Sequence, residues 1–238
     1  MSNLSLLFED PVGFLRSMLL VLPAILIGLS LHEFAHAWMS DRLGDPTPRA
    51  QGRLTISPFA HVDPFGLATL FLFGFGFGKP VMIDPRHYKH RNRGEILVSL
   101  AGVTMNFLCA VVFTGIFVLV TGIPFVANTT MLSMAIFYGG LSSSMQIVAQ
   151  ILYNIIIINL NLMIFNLLPL PPLDGYKVVK NILLGKWQGK LIKFFWFIER
   201  YGFLLIVIVL ASGILDSYFA FCIDHLLSLL QTLFGWLA

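Results

Sequence analysis

Apolar residues fill long blocks of this chain, and the length and period of each block predict its structure. The first block, Ser17 to Met39, holds His32, Glu33 and His36 as its only ionisable groups and is long enough to cross a hydrocarbon core of ~30 Å. From Ile96 to Leu173 there is no Asp, Glu, Lys, Arg or His. That leaves room for two further spans, with a turn at TGIPFVANTT, residues 121–130, where Gly, Pro, Asn and Thr interrupt the pattern. Another apolar block covers Phe203 to Leu215, lengthened backwards through KFFWFIERYG, and DSYFAFCIDHLLSLLQTLFGWLA follows as a short span or a helix lying in the interface. A different period marks FLFGFGFGKP, residues 71–80: Phe alternates with Gly from Phe73 to Gly78, which suits a strand and not an amphipathic helix.

Composition agrees with the pattern. With 57% hydrophobic and 11% charged residues, the chain falls among integral membrane proteins. Ser17 to Met39 reads as a span and not as a removable signal peptide, because polar residues lie near its end and no small-residue cleavage pattern follows. Of the 15 Lys and Arg residues, eight lie between Arg42 and Arg93, six between Lys177 and Arg200, and Arg16 alone elsewhere. The positive-inside rule puts both basic segments on the cytoplasmic side, and the N-terminus and the 122–142 turn outside. The net charge of +3 is thus a topology signal that gives a nucleic-acid partner little support. Cys109 and Cys222 sit in apolar runs as inert thiols, and no internal repeat points to a transporter of duplicated halves. The expected fold is an all-α polytopic membrane protein, a helical bundle of about four to six transmembrane segments with a short membrane-associated β-hairpin near the active site. Residues 1–238 are taken as one membrane-embedded domain, with a catalytic core at 17–185 and C-terminal helices at 190–238.

The chemistry lies in HEFAH, residues 32–36. Residues four apart on a helix face the same way, so both imidazoles can reach one metal ion. Glu33 beside them can hold a metal-bound water and take its proton, and zinc would lower that water's pKa towards ~7. The competing reading is a polar cluster that hydrogen-bonds helices together. Gly44 and Pro46 in DRLGDPTP stop the helix, which leaves the pair about two turns inside the cytoplasmic boundary, within reach of water. A zinc enzyme needs a third protein ligand and an open fourth position. The candidates are His61, His87, His90, His225 or a carboxylate. In NLLPLPPLDG, residues 166–175, three prolines within four positions forbid a regular helix, and Asp174 is the first charged residue for 78 positions. Such a segment can aim Asp174 back at the first span. As a helix cap before GYKVVKNILL, Asp174 has an alternative role compatible with ligation.

These residues resemble the site-2 proteases, polytopic zinc metalloproteases that cut substrates within the membrane. The resemblance rests on HEFAH, on NLLPLPPLDG, and on GRLTISPFAHVDPFG, FGFGFGKPV and LAGVTMNF between them; it covers roughly residues 17–185 and is closest to the small subgroup without extra regulatory domains. It implies one zinc ion per chain held by His32, His36 and Asp174, with Glu33 as general base. Asn106 is the asparagine of the family's second-span motif, and Val103 stands where that motif commonly has proline. The resemblance gives Asn106 a catalytic part: holding the substrate carbonyl or stabilising the oxyanion formed on attack.

The expected activity is therefore that of an intramembrane zinc endopeptidase. A membrane helix must be unwound before hydrolysis; the edge formed by Phe73, Gly74, Phe75, Gly76, Phe77 and Gly78 would bind the unwound substrate as an added strand. The competing reading of that run is a glycine-rich linker dipping into the interface. Asn154, Asn159, Asn161 and Asn166 are expected to make interhelical hydrogen bonds, His61 to bond backbone in a loop, and His87 and His90 to belong to a basic surface near anionic headgroups. Two other functions remain open: a zinc-binding membrane protein or transporter that cleaves nothing, and a metalloenzyme acting on a lipid-linked amide. The expected partners are transmembrane protein substrates and the lipid bilayer, and the expected home is a prokaryotic inner membrane, with the active site near the cytoplasmic side. The sequence leaves the oligomeric state open.

Overall fold

A computed structural model of the protein describes residues 7–73, 76, 78–186 and 191–237. Helix α1, Pro11–Arg42, starts where the Asp10 side chain accepts from the Gly13 N–H at 2.9 Å and Pro11 occupies the first helical position. It stops at Leu43 and Gly44, the latter at φ 100. Three short helices follow: α2, Thr47–Ala50, α3, Pro58–His61, and α4, Pro64–Phe73. A 3₁₀ turn at Pro85–His87 leads into α5, Arg91–Thr121, which ends on Gly122 in the left-handed region at φ 66. The expected turn between the second and third spans contains a ten-residue helix, α6, Thr129–Tyr138, capped by the Asn128 side chain. Helix α7, Ser143–Asn166, is capped by Ser142. The remaining helices are α8, Asp174–Lys186, α9, Ile192–Arg200, α10, Gly202–Ala211, and α11, Ile214–Phe234.

Among the described residues four helices, α1, α5, α7 and α11, are long and apolar enough to cross a membrane, and the pair α9 and α10, bent by 66°, would make a fifth. The chain is a multi-pass membrane protein, within the range of spans its hydropathy predicts. Leu19, Val112, Leu119 and Phe221 project outwards from the spans, as lipid-facing positions should.

Helices α1, α5 and α7 form the bundle that carries the site. Gly28 lets α7 approach α1: a Cβ there would lie 2.8 Å from the Leu162 side chain. Asn154 ties the same two helices, donating to Leu20 O at 3.0 Å. Asn161 and Asn166 instead donate to carbonyls of their own helix, Ile157 and Leu162, so the interhelical role expected of them is not the one seen. Away from the site, Phe117, Ile136, Ile156, Leu160 and Leu227 join α5, α6, α7 and α11 in one buried apolar cluster.

The expected β-hairpin is the principal departure. Helix α4 runs on through Phe73, and the described residues contain no strand, only a single antiparallel bridge between Val62 and Gly78. Gly74, Phe75 and Phe77 lie outside the described residues. Residues 64–73 are apolar without a strand period, so helix persists until the first glycine of the run. Gly76 then folds back against α4 so tightly that a Cβ would lie 2.2 Å from Gly66 O. Close backbone approach explains a glycine here better than strand pairing does.

Candidate metal centre

His32 and His36 lie one turn apart on α1, with ring centroids 4.5 Å apart and planes at 87°. Their Nε2 atoms are separated by 2.9 Å. Asp174, the first residue of α8, places Oδ2 3.2 Å from His32 Nε2 and 3.0 Å from His36 Nε2. It reaches this position because Pro169, Pro171 and Pro172 keep the chain non-helical between α7 and α8. Gly175 then lets the new helix pack on the end of α7, where a Cβ would lie 2.2 Å from Leu167 O. The three ligand atoms lie within 4.8 Å of one another and all three residues are buried.

The partners on the far side of each ring determine what faces inward. Asn106, fully buried on α5, donates its amide hydrogens to Gly28 O at 3.2 Å and Asn159 Oδ1 at 2.9 Å. Its Oδ1 must therefore be the acceptor for His32 Nδ1, at 2.6 Å. His36 Nδ1 lies 2.7 Å from Val98 O, a group that can only accept. Both imidazoles thus carry a proton on Nδ1, which leaves Nε2 as the inward-facing atom able to ligate. Asp174 Oδ1 accepts from Lys177 Nζ at 2.9 Å, but its buried Oδ2 has no hydrogen-bond donor. With Nε2 unprotonated, three lone pairs would converge in this buried site, an arrangement that a cation between them would relieve. Two imidazole nitrogens and one carboxylate oxygen are the donor set of a catalytic zinc site, which keeps its fourth position for water or substrate.

Glu33 adjoins His32 on the helix and is half-buried. Its Oε2 accepts a hydrogen bond from the Val81 main-chain N–H at 3.0 Å. Val81 belongs to a segment without regular secondary structure, residues 79–84, held at one end by Lys79 N donating to His61 O at 2.7 Å and at the other by Asp84 N donating to Asp45 Oδ2 at 2.8 Å. Asp45 is itself fully buried and accepts from Ser40 Oγ at 2.8 Å and Thr47 N at 2.9 Å. Burial alone would raise the Asp45 carboxyl, but the Asp84 and Thr47 N–H groups and the Ser40 hydroxyl outweigh it and hold the group below its ordinary value. The Tyr88 hydroxyl, 2.6 Å from Ser40 Oγ, closes this cluster, and burial pushes the phenol up.

Comparison with known proteins agrees with this arrangement. The profile described as Peptidase family M50 matches residues 20–209. The chain belongs to that family. It is 34% identical over 194 residues to "Putative zinc metalloprotease YwhC" of Bacillus subtilis, covering 82% of this chain and 80% of the relative. It is also 30% and 25% identical, over 216 and 217 residues, to proteins named "Putative zinc metalloprotease Rip2" from Mycolicibacterium smegmatis and Mycobacterium tuberculosis, with 88% of this chain and 73% of each relative covered. No solved structure matches the chain. As an M50 member the protein is a zinc metalloprotease of the site-2 protease family, and His32, His36 and Asp174 form its candidate zinc site.

The other candidate residues of this M50 chain lie elsewhere. His61 is buried and bonds backbone as expected, Nε2 to Thr55 O at 2.7 Å, and its Nδ1 has no partner. His87 is exposed, 3.6 Å from both Asp45 Oδ1 and Asp84 Oδ2; His90 immediately precedes α5; His225 bonds Phe221 O on α11. None of them joins the metal cluster among the described residues. Of the predicted substrate edge, Phe73 ends α4, Gly78 makes the bridge to Val62, and Gly76 lines an apolar cavity of about 570 Å³ beside α1, α4 and α7. Sequence reasoning missed Val98, Asp45 and Val81. Two of these act through main-chain atoms, which carry no residue-type signal, and Asp45 reads as part of an ordinary helix stop.

Proposed function

We propose that this M50 protease is an intramembrane endopeptidase that hydrolyses peptide bonds of transmembrane substrates, working near the cytoplasmic face of a bacterial cell membrane. The observation that carries the reading is the convergence of three candidate ligand atoms, two of them beside Glu33 on a helix long and apolar enough to span a bilayer. A metal site placed there meets its substrate in or at the membrane. His32, His36 and Asp174 would hold zinc, which when bound supplies a Lewis acid and makes water nucleophilic near neutral pH. Glu33 accepts the proton of the attacking water and delivers it to the leaving amine.

Asn106 acts in this geometry by holding His32. Both its amide hydrogens are committed to protein acceptors, so its contribution is orientation of the imidazole, and the donor to a substrate oxygen must come from elsewhere. The cavity lined by Val21, Leu29, Leu67, Phe165 and Gly76 offers apolar side chains of an unwound substrate a place beside α1. Gly76, from the Phe–Gly run, is among the residues that line it. The two basic segments support, by the positive-inside rule, a site on the cytoplasmic side and an N-terminus outside.

The test is cleavage of a transmembrane peptide by the purified full chain in detergent, with bound zinc quantified in wild type, Glu33→Gln and Asp174→Ala. Cleavage lost but zinc kept in Glu33→Gln, with zinc weakened in Asp174→Ala, is the expected pattern. Cleavage retained in Glu33→Gln would sink the general-base assignment. Equal zinc in all three proteins would remove Asp174 from the site.

A further inference from the structure

We propose that Val81 is a positioning residue for catalysis, acting through its main-chain N–H on Glu33. The inference rests on the reading of Glu33 as general base. A glutamate at a helix surface has three side-chain torsions, and holding one rotamer needs a fixed partner. Among the described residues the Val81 N–H is the hydrogen-bond donor that the structure gives the Glu33 carboxylate, at 3.0 Å to Oε2. Among the described residues no donor reaches Oε1, the oxygen that would meet the attacking water.

The donor is presented by a strap and not by a loose loop. Lys79 N is tied to His61 O at 2.7 Å, and His61 is tied to Thr55 O at 2.7 Å. Five residues on, Asp84 N is tied to buried Asp45, which is anchored by Ser40 in the last turn of α1 and by Thr47, the first residue of α2. Both ends of the strap therefore rest on fixed groups, and the span between them crosses Glu33. With both ends tied to buried groups, the segment presents the Val81 amide to the Glu33 carboxylate. A Glu33 released from this bond would sample rotamers in which neither oxygen addresses the water, and misplacements of about 1 Å at reacting groups cost up to ~100-fold in rate.

The test removes the donor and keeps everything else. In the purified full chain, Val81→Pro deletes the N–H, Val81→Ala retains it, and replacement of Val81 by its α-hydroxy acid exchanges N–H for an ester oxygen without the constraint of a proline ring. Each is loaded with Co²⁺ alone, and its visible absorption, which responds to hydrogen bonding around the metal, is compared with that of wild type and Glu33→Gln. The expected result is that the proline and ester variants move towards Glu33→Gln, and the alanine variant overlays wild type. In peptide cleavage, kcat should fall by ~10- to 100-fold in the same two variants with KM within about twofold of wild type, and alanine should restore it. Should the proline variant fail to bind cobalt, the ester variant decides. Proline and ester variants that overlay wild type, or that turn over faster, overturn the proposal while leaving Glu33 its role. A Glu33→Gln spectrum indistinguishable from wild type would instead remove the general-base reading, and the proposal with it.

Discussion

Gly102 on α5 lies directly against His36: a Cβ at position 102 would sit 2.6 Å from His36 Nε2, and 2.7 Å from His32 Cε1. No real side chain tolerates such contacts, and the obstructed atoms include a lone pair that the metal would need. Gly102→Ala should therefore weaken zinc binding by at least ~10-fold, because one ring must turn away and give up its outer hydrogen bond. Competition with a chelator of known affinity measures it. Affinity within twofold of wild type would mean that α5 shifts to accommodate the methyl group.

The bond from His32 Nδ1 to Asn106, at 2.6 Å, gives a second prediction. Asn106→Leu removes the acceptor that sets the His32 tautomer and strands Asn159 Oδ1 without its donor. Outer partners of ligating histidines typically contribute ~10- to 100-fold in metal affinity, so zinc should weaken by that order. Asn159→Leu leaves the His32 bond in place but frees the Asn106 amide to rotate, and should weaken zinc by less. Isothermal titration of the two apo proteins in detergent ranks them, and the reverse order would show that Asn159 supports the site by a route other than the Asn106–His32 bond.

Acid should loosen the strap through Asp45. Its carboxyl is held below the ordinary value of 3.8 in the folded protein, so it contributes stability that is fully present above that value and is lost as pH falls through the lower folded one. Asp45→Asn should lower stability at neutral pH by about 1–3 kcal/mol, the cost of leaving buried donors poorly paired, and should flatten the acid limb of the thermal unfolding temperature below about pH 4. Unfolding temperatures for both proteins from pH 3 to 7 provide the check. Parallel acid limbs would place the pH sensitivity in another group.

The parts of this site that were legible in the sequence are those whose residue type and spacing express a geometry. HEFAH shows one helical face because residues four apart align, and Asp174 stands out because three prolines break the helix before it and no charged residue precedes it for 78 positions. Of the four helices long and apolar enough to span, α1, α5 and α7 follow from length and hydropathy alone, whereas α11 read equally as a helix lying in the interface. Main-chain partners such as Val98 O and the Val81 N–H were invisible, since every residue has them. Among the described residues the Phe–Gly run forms no strand, and an alternating period is only a proxy for two-faced packing. Its glycines have no side chain to pack, and Gly76 is explained instead by contact with Gly66. Asn106 was found, but its committed hydrogens could not be, because they depend on where Gly28 and Asn159 fall on neighbouring helices.

Lys177 offers the opposite case from Asn106, a partner of the site that should matter little. Its Nζ lies 2.9 Å from Asp174 Oδ1, yet about half of its side chain is exposed. A pair in contact with solvent gains little net energy, about 0–1 kcal/mol, which corresponds to at most ~5-fold in an equilibrium constant. Lys177→Met should therefore reduce zinc affinity by no more than ~5-fold, less at high salt, where exposed pairs are screened. The chelator competition used for Gly102→Ala, repeated at low and high ionic strength, measures this. A larger loss, insensitive to salt, would mean that Lys177 fixes the Asp174 rotamer as Asn106 fixes His32, and that α8 relies on its first turn to aim the carboxylate.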